Sequence, residues 1–270
     1  VRRELALLLT AVTFLTRLPA PLAADFRTDC LSQSARYFPL VGVLVGCVNV
    51  TVWWVASQAL PSAVAVGLML SASLLFTGAF HEDGFADTCD GFGGGTTVER
   101  VLEIMKDSRI GAYGALGLVM MVGLKWSALT ALPALSLPFM VISAHMFSRW
   151  CAIGLIWALA YVRVAGESKS KPFADTLSGT AWCSAGIVGL MGLVPVGLLC
   201  AERHDVLDPV ALIVACIAAA ITALAAGAYF RRRIGGYTGD CLGAVQQLSE
   251  LAFLLAGLAV LDAAPRAAVA

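Results

Sequence analysis

The run His81-Glu82-Asp83-Gly84-Phe85-Ala86-Asp87-Thr88-Cys89-Asp90-Gly91 sets four carboxylates directly after an apolar stretch, residues 61–80, long enough to cross a bilayer. A charge at the lipid midplane costs ~2.5–3.5 kcal/mol on insertion scales, so acids crowded at the end of such a stretch mark a functional site. If the helix continues through this segment, Asp83, Asp87 and Asp90 fall at i, i+4 and i+7, on one face. Like charges so placed repel unless a cation sits between them. Mg²⁺ takes oxygen ligands and bridges carboxylates to substrate phosphates, so the chemistry implied is phosphoryl-group transfer at a membrane. Gly91 and Gly93-Gly94-Gly95 are expected to break the helix and bring bare backbone close to a phosphate. An acidic, solvated helix end is the competing reading.

Further along, Lys106 and Arg109 stand at i and i+3 beside Asp107, just before the Gly-punctuated start of the next apolar run. The two cations suit phosphate oxygens, Arg bidentately; a salt-bridged surface helix, with Glu103 facing Lys106 or Asp107, is the alternative. His145 and Arg149, i and i+4, share a face within an apolar run, where an arginine needs a partner or water. Arg17 follows an apolar helix and precedes Pro19, placed to reach a phosphate or to anchor the interface by snorkelling. Asp240 opens the last apolar run, where an acid either caps the helix or meets substrate or metal. With Gln247 and Glu250, at i+7 and i+10, it lines a polar cleft. The Arg231-Arg232-Arg233 triplet before it reads as an anchor near anionic lipid.

The elements that must position these groups are membrane helices. Of 270 residues 59% are hydrophobic and only 13% charged, with mean hydropathy +0.85, whereas soluble domains carry about 25% charge. The expected fold is all-α: a polytopic helical bundle of about seven spans (37–59, 61–80, 111–131, 133–162, 181–200, 208–229 and 242–262) forming one integrated membrane domain over residues 1–270. The N-terminal stretch, Val1-Arg2-Arg3 followed by Leu5 to Leu15, reads as a short amphipathic or re-entrant helix against the cytoplasmic face. With 1–36 and the loops 81–110, 163–180 and 230–241 on one side, that side collects every Lys and Arg except Lys125, Arg149, Arg203 and Arg266. By the positive-inside rule it is cytoplasmic, and every polar constellation above opens onto it. The eight cysteines contain no CxxC pair and read as small buried residues. A net charge of zero gives no argument for nucleic-acid binding.

Asp87-x-x-Asp90-Gly91 resembles the start of the CDP-alcohol phosphotransferase signature, but Phe92-Gly93-Gly94-Gly95 does not supply its Ala-Arg, and its later paired aspartates are missing. A more specific resemblance covers nearly the whole chain. The run HEDGFADTCDGFGGGTTVERVLEIMKDSRIGAYG is similar to the signature of the cobalamin synthase family, the adenosylcobinamide-GDP ribazoletransferases. Phe14-Leu15-Thr16-Arg17-Leu18-Pro19, Ala144-His145-Met146-Phe147-Ser148-Arg149-Trp150 and Gly235-Gly236-Tyr237-Thr238-Gly239-Asp240-Cys241-Leu242-Gly243-Ala244 agree with it.

The resemblance implies a Mg²⁺-dependent enzyme of the bacterial inner membrane, its site facing the cytoplasm. It would join adenosylcobinamide-GDP to α-ribazole or its 5′-phosphate and release GMP. A ribose hydroxyl would attack the phosphorus nearer the corrinoid, with metal on Asp83, Asp87 and Asp90. One acid among Glu82, Asp83 and Asp107 would take the proton. Arg17, His81, Lys106, Arg109, His145, Arg149 and Asp240 are the candidate substrate contacts. The resemblance leaves open a homo-oligomer or docking of other corrinoid-pathway enzymes. A cation transporter is the rival from another class, but it would place its acids near the midplane.

Overall fold

Apolar stretches of about twenty residues can satisfy their backbone in lipid only as helices, and in the computed structural model they do. It describes residues 2–19, 28–162, 177–201 and 208–267. The expected loop 163–180 lies outside these except for its last residues, as does Arg203. In chain order the helices are α1 (Arg2–Leu15), α2 (Thr28–Ser34), α3 (Phe38–Ser57), α4 (Ser62–Thr77), α5 (Phe80–Gly94) and α6 (Val98–Met105). They continue with α7 (Ala112–Ala131), α8 (Leu137–Ala158), α9 (Gly179–Ala201), α10 (Pro209–Ile234) and α11 (Gly239–Ala267); a 3-10 turn at Ala35–Tyr37 joins α2 to α3.

Pro39, Pro138 and Pro209 stand in the first turns of α3, α8 and α10, where a missing N–H is tolerated. Asp208 caps α10 by accepting from the N–H groups of Val210 and Ala211. α8 is the axis of the bundle: it is buried on nearly every face and packs against α3, α9, α10 and α11. α9 is held to it by Trp150 and Trp182, stacked 4.4 Å apart. Each of these indole N–H groups donates to the other residue's backbone carbonyl, at 3.1 and 3.3 Å.

Among the described residues, five helical stretches are each long and apolar enough to cross a bilayer: Cys30–Ser57, which joins most of α2 and the 3-10 turn to α3, then α7, α8, α10 and α11. The expected span at 61–80 is instead one limb of a broken pair. α4 stops after 16 residues, and the chain bends by 90° into α5. The bend lies at Gly78 and Ala79, both left-handed, with φ of 70° and 56°. The acidic helix is therefore a fresh start and does not continue the apolar one. The long 133–162 run is shortened by a turn before Leu137 and by an extended segment after Ala158, where Tyr161 bridges to Tyr237. α1 is amphipathic as expected, with Leu7, Ala11 and Leu15 buried and Arg2, Arg3 and Leu5 exposed. The backbone N–H of Arg17 then donates to Phe76 O at 2.8 Å, tying the end of α1 to the end of α4.

Candidate active site

α5 carries its acids across the mouth of the bundle. It packs along α11 through two glycines: a Cβ on Gly84 would stand 2.9 Å from Asp240 Cα, and one on Gly243 would stand 2.9 Å from His81 O. Only bare backbone allows that approach, and it sets the start of α11 beside the acidic face. Asp83 is exposed, while Asp87 and Asp240 are half-buried. Asp87 lies within electrostatic reach of Asp240, Asp83 and Asp90.

Asp90 is buried and turned toward the start of α7. It accepts from Gly111 N at 2.7 Å and Gly114 N at 2.8 Å, satisfying two of that helix's orphan donors. The expected third metal ligand thus already has each oxygen engaged as a helix cap. Gly91 does not break α5, which ends inside the glycine run at Gly94, with Gly95 extended as its C-cap. Gly91 and Gly95 instead lie against Met105 and Val101 of α6, and Gly93 against the ring of Tyr113. Arg233, expected as a lipid anchor, donates to Gly95 O at 2.8 Å, placing a cation at the negative end of α5. It also stacks on Phe92.

Deeper in the bundle, four helices contribute to one polar network. Lys125 of α7 donates to Gln247 Oε1 and Glu250 Oε1 of α11, both at 2.6 Å. Glu250 Oε2 meets His145 Nδ1 at 3.1 Å and accepts from Gln246 at 2.6 Å. Gln246 donates to Ser148 as well, at 3.0 Å. Asn49 of α3 lies 2.8 Å from the other ring nitrogen of His145. Gln247 donates to Glu82 Oε1 at 2.9 Å, linking the network to the start of α5. Gln247 and Glu250 meet here, whereas Asp240, expected to share their cleft, lines a different cavity. Lys125, Asn49, Ser148 and Gln246 were not singled out as site residues, although a lysine inside an apolar run always demands a partner.

A separate cavity of about 250 Å³ has His81, Asp83, Arg149 and Asp240 in its lining. Arg149 is 2% exposed. Its Nη1 donates to His145 O at 2.9 Å, as the shared face predicted, and its Nε has no partner among the described residues. The structure thus brings His81, Asp83, Arg149 and Asp240 together, with Asp87 and Glu82 adjoining. Arg17 lies over the α4–α5 bend, its Nε against Gly78.

Asp107 and Arg109 are elsewhere, lining an open groove with Asp90 beneath α6. They bind each other, with Arg109 Nη2 donating to Asp107 Oδ2 at 2.6 Å. The side-chain and backbone hydrogen bonds from Arg109 hold the Asp107 carboxyl down at about 2, which makes it a poor proton acceptor. Glu103 pairs with Arg100 at 2.7 Å. Lys106 is exposed at the end of α6.

Among the described residues no group of three or more His, Cys, Asp or Glu is arranged to hold a metal unaided. The oxygen-rich set around Asp87 nevertheless suits Mg²⁺, which binds through one or two carboxylates and completes its shell with water and substrate phosphate.

An all-helical bundle with several bilayer-length apolar helices, and a cavity lined in part by buried and acidic polar groups, defines a polytopic membrane protein. Residues 7–258 match the family model described as Cobalamin-5-phosphate synthase, and the chain belongs to that family. It is 44% identical over 261 residues to the adenosylcobinamide-GDP ribazoletransferase of Leptothrix cholodnii, covering 95% of this chain and 96% of the relative. The enzyme of the same name from Shewanella frigidimarina is 44% identical, with 96% of each chain covered. That from Vibrio cholerae is 42% identical, with 97% of each covered. No solved structure matches the chain.

Proposed function

We propose that this protein is an adenosylcobinamide-GDP ribazoletransferase of the bacterial inner membrane, with its site on the cytoplasmic side. One observation carries the reading: carboxylates of α5 and α11 and the buried Arg149 open onto a single cavity, Asp83 and Asp240 lining it, in a chain whose full-length relatives bear that name. A ribose hydroxyl of α-ribazole or its 5′-phosphate forms a bond to the corrinoid-side phosphorus. The bond from that phosphorus to the GMP oxygen breaks, and the hydroxyl proton passes to a base.

Of the three acids considered for that base, only Asp83 lines the cavity; Glu82 is turned to Gln247 and Asp107 is paired with Arg109. Asp87 and Asp240 would hold Mg²⁺, with Asp90 fixing the start of α7 beside them and contributing at most its outer lone pairs. When bound, the ion neutralises the pyrophosphate and the departing GMP. Arg149 offers a buried cation to a substrate phosphate.

The test is GMP release from adenosylcobinamide-GDP by purified protein with α-ribazole, Mg²⁺ present or chelated. The expected result is Mg²⁺-dependent GMP with a cobalamin product, reduced at least about 10²-fold in folded Asp87→Ala, since metal charge stabilisation is worth several kcal/mol. Well-folded wild type that yields no product with either form of ribazole would overturn the assignment and turn attention to CDP-alcohol substrates.

A further inference from the structure

We infer that the cavity between α1, α5, α8 and α11 is the seat of the acceptor alone: a flat bicyclic aromatic base carrying a ribose, held in place before the donor arrives. The inference rests on the ribazoletransferase reading and assigns one substrate to one place.

Size is the first argument. At about 250 Å³ the cavity is at the small end of ligand sites, which run about 300–1,000 Å³ for drug-sized molecules. A nucleoside matches that scale, whereas a corrinoid macrocycle with its nucleotide far exceeds it. The donor must therefore approach from outside, with its pyrophosphate at the Asp87 end.

The lining is the second argument. Its wall is mostly apolar and includes Phe14, Phe38 and Phe80. Phe14 stacks on Phe38, with centroids 5.9 Å apart, and meets Phe80 edge-on at 5.2 Å. Phe80 is 45% exposed, a large aromatic left uncovered beside a cavity inside a bundle. Such rings favour a flat aromatic guest, stacked or edge-on against them. A sugar phosphate alone would leave them bare.

Polarity fixes the guest's direction. Asp83 and Asp240 line the same cavity as the rings, so a ribose seated beyond the base presents its hydroxyls to carboxylates. Arg149 adds to that lining a buried guanidinium whose Nε lacks a partner among the described residues, and an unpaired buried donor is costly. A phosphate on the ribose would relieve that cost. The 5′-phosphorylated acceptor should therefore bind more tightly than the free nucleoside, and Arg149 should account for the difference.

Calorimetric titration of the full-length protein in detergent, without donor or Mg²⁺, tests this with α-ribazole, α-ribazole 5′-phosphate and GMP as probes. Wild type should bind both acceptors, the phosphate more tightly. Ala152→Phe, which fills the cavity from α8, and Phe80→Ala, at an exposed ring, should each weaken acceptor binding and raise its KM at least tenfold, leaving the KM for adenosylcobinamide-GDP unchanged. Arg149→Gln should erase the preference for the phosphate.

Phe80→Ala serves if Ala152→Phe does not fold. Normal turnover with an unchanged acceptor KM in a folded cavity variant would overturn the inference while leaving the enzyme assignment standing. So would a rise in donor KM alone, or ribazole binding only once donor is present. Absence of any turnover in wild type would instead sink the assignment beneath it.

Discussion

Lys125 and Glu250 meet at 2.6 Å with side chains only 5% and 6% exposed, joining α7 to α11 in the middle of the bundle. Glu250 is shared with His145 and Gln246, so its second oxygen is also engaged. Removing one partner of a buried pair leaves an uncompensated charge, at a cost of about 3–5 kcal/mol. Lys125→Met should lower stability by that order, and Lys125→Met with Glu250→Gln should recover most of the loss. Unfolding in mild detergent, followed by tryptophan fluorescence, measures both. If the double variant is no more stable than the single one, the pair is not what the lysine serves.

Asp90 and Gly114 make a second joint. A Cβ on Gly114 would collide with Asp90 Oδ2 and stand 3.0 Å from Ala86 O. Gly114→Ala should therefore push α7 off α5 and destabilise the protein by about 1–3 kcal/mol, as overpacking does. Asp90→Asn, which keeps the shape but loses the charged acceptor, should cost about 1–2 kcal/mol. Hydrogen exchange at the amides of Gly111 and Gly114 should rise in the latter variant before any change elsewhere.

The bend between α4 and α5 contains a residue of the wrong type for its backbone. Ala79 is the one described non-glycine residue with positive φ, a conformation that costs an L-residue about 1–2 kcal/mol. Ala79→Gly should thus be neutral or stabilising by about 1 kcal/mol. Gly78→Ala should be harmful, because its Cβ would fall 2.5 Å from Arg17 Nε as well as sit at φ 70°. Compared in one thermal series, Gly78→Ala should lower the midpoint and Ala79→Gly should not.

Asp107 gives a prediction about pH. Its folded carboxyl lies at about 2, below the ordinary 3.8, because Arg109 bonds to it through side chain and backbone. A depressed carboxylate contributes its stabilisation above its unfolded value and loses it as pH falls through the folded one. Here that window is from about 4 down to about 2. Between pH 5 and 9 the group stays ionised, so Asp107→Asn should leave the shape of the pH–rate profile unchanged. A lost or shifted limb would restore Asp107 as the base.

What the sequence reveals follows from what is local in it. Twenty-residue apolar runs locate most of the spans, and i, i+4 spacing places Asp83 with Asp87 and His145 with Arg149, because those relations lie within a single helix. The bend at Gly78 hides inside an uninterrupted apolar run, where glycine next to alanine gives no warning. The role of Asp90 is hidden for a different reason: its partners Gly111 and Gly114 lie on another helix, across the intervening α6. Lys125 signals only that it needs an acid, and nothing in its own run says that the acid is Glu250. Arg233 reads as one of three basic residues until its partner, Gly95 O, is seen.

The separation of Lys125 from Glu250, 125 residues along the chain, also has a temporal consequence. At about 5–20 residues per second, α7 is synthesised roughly 6–25 s before its counter-ion exists. During that interval the helix carries a lone lysine that costs ~2.5–3.5 kcal/mol to hold at mid-bilayer. α7 must therefore wait at the water edge, snorkel, or stay with the insertion machinery until α11 emerges. A ribosome-stalled chain ending before α11 should leave a cysteine engineered beside Lys125 open to a water-soluble thiol reagent, and release of the full chain should close it. α11, made long after α7, is thus the helix that seals α7 into the bilayer.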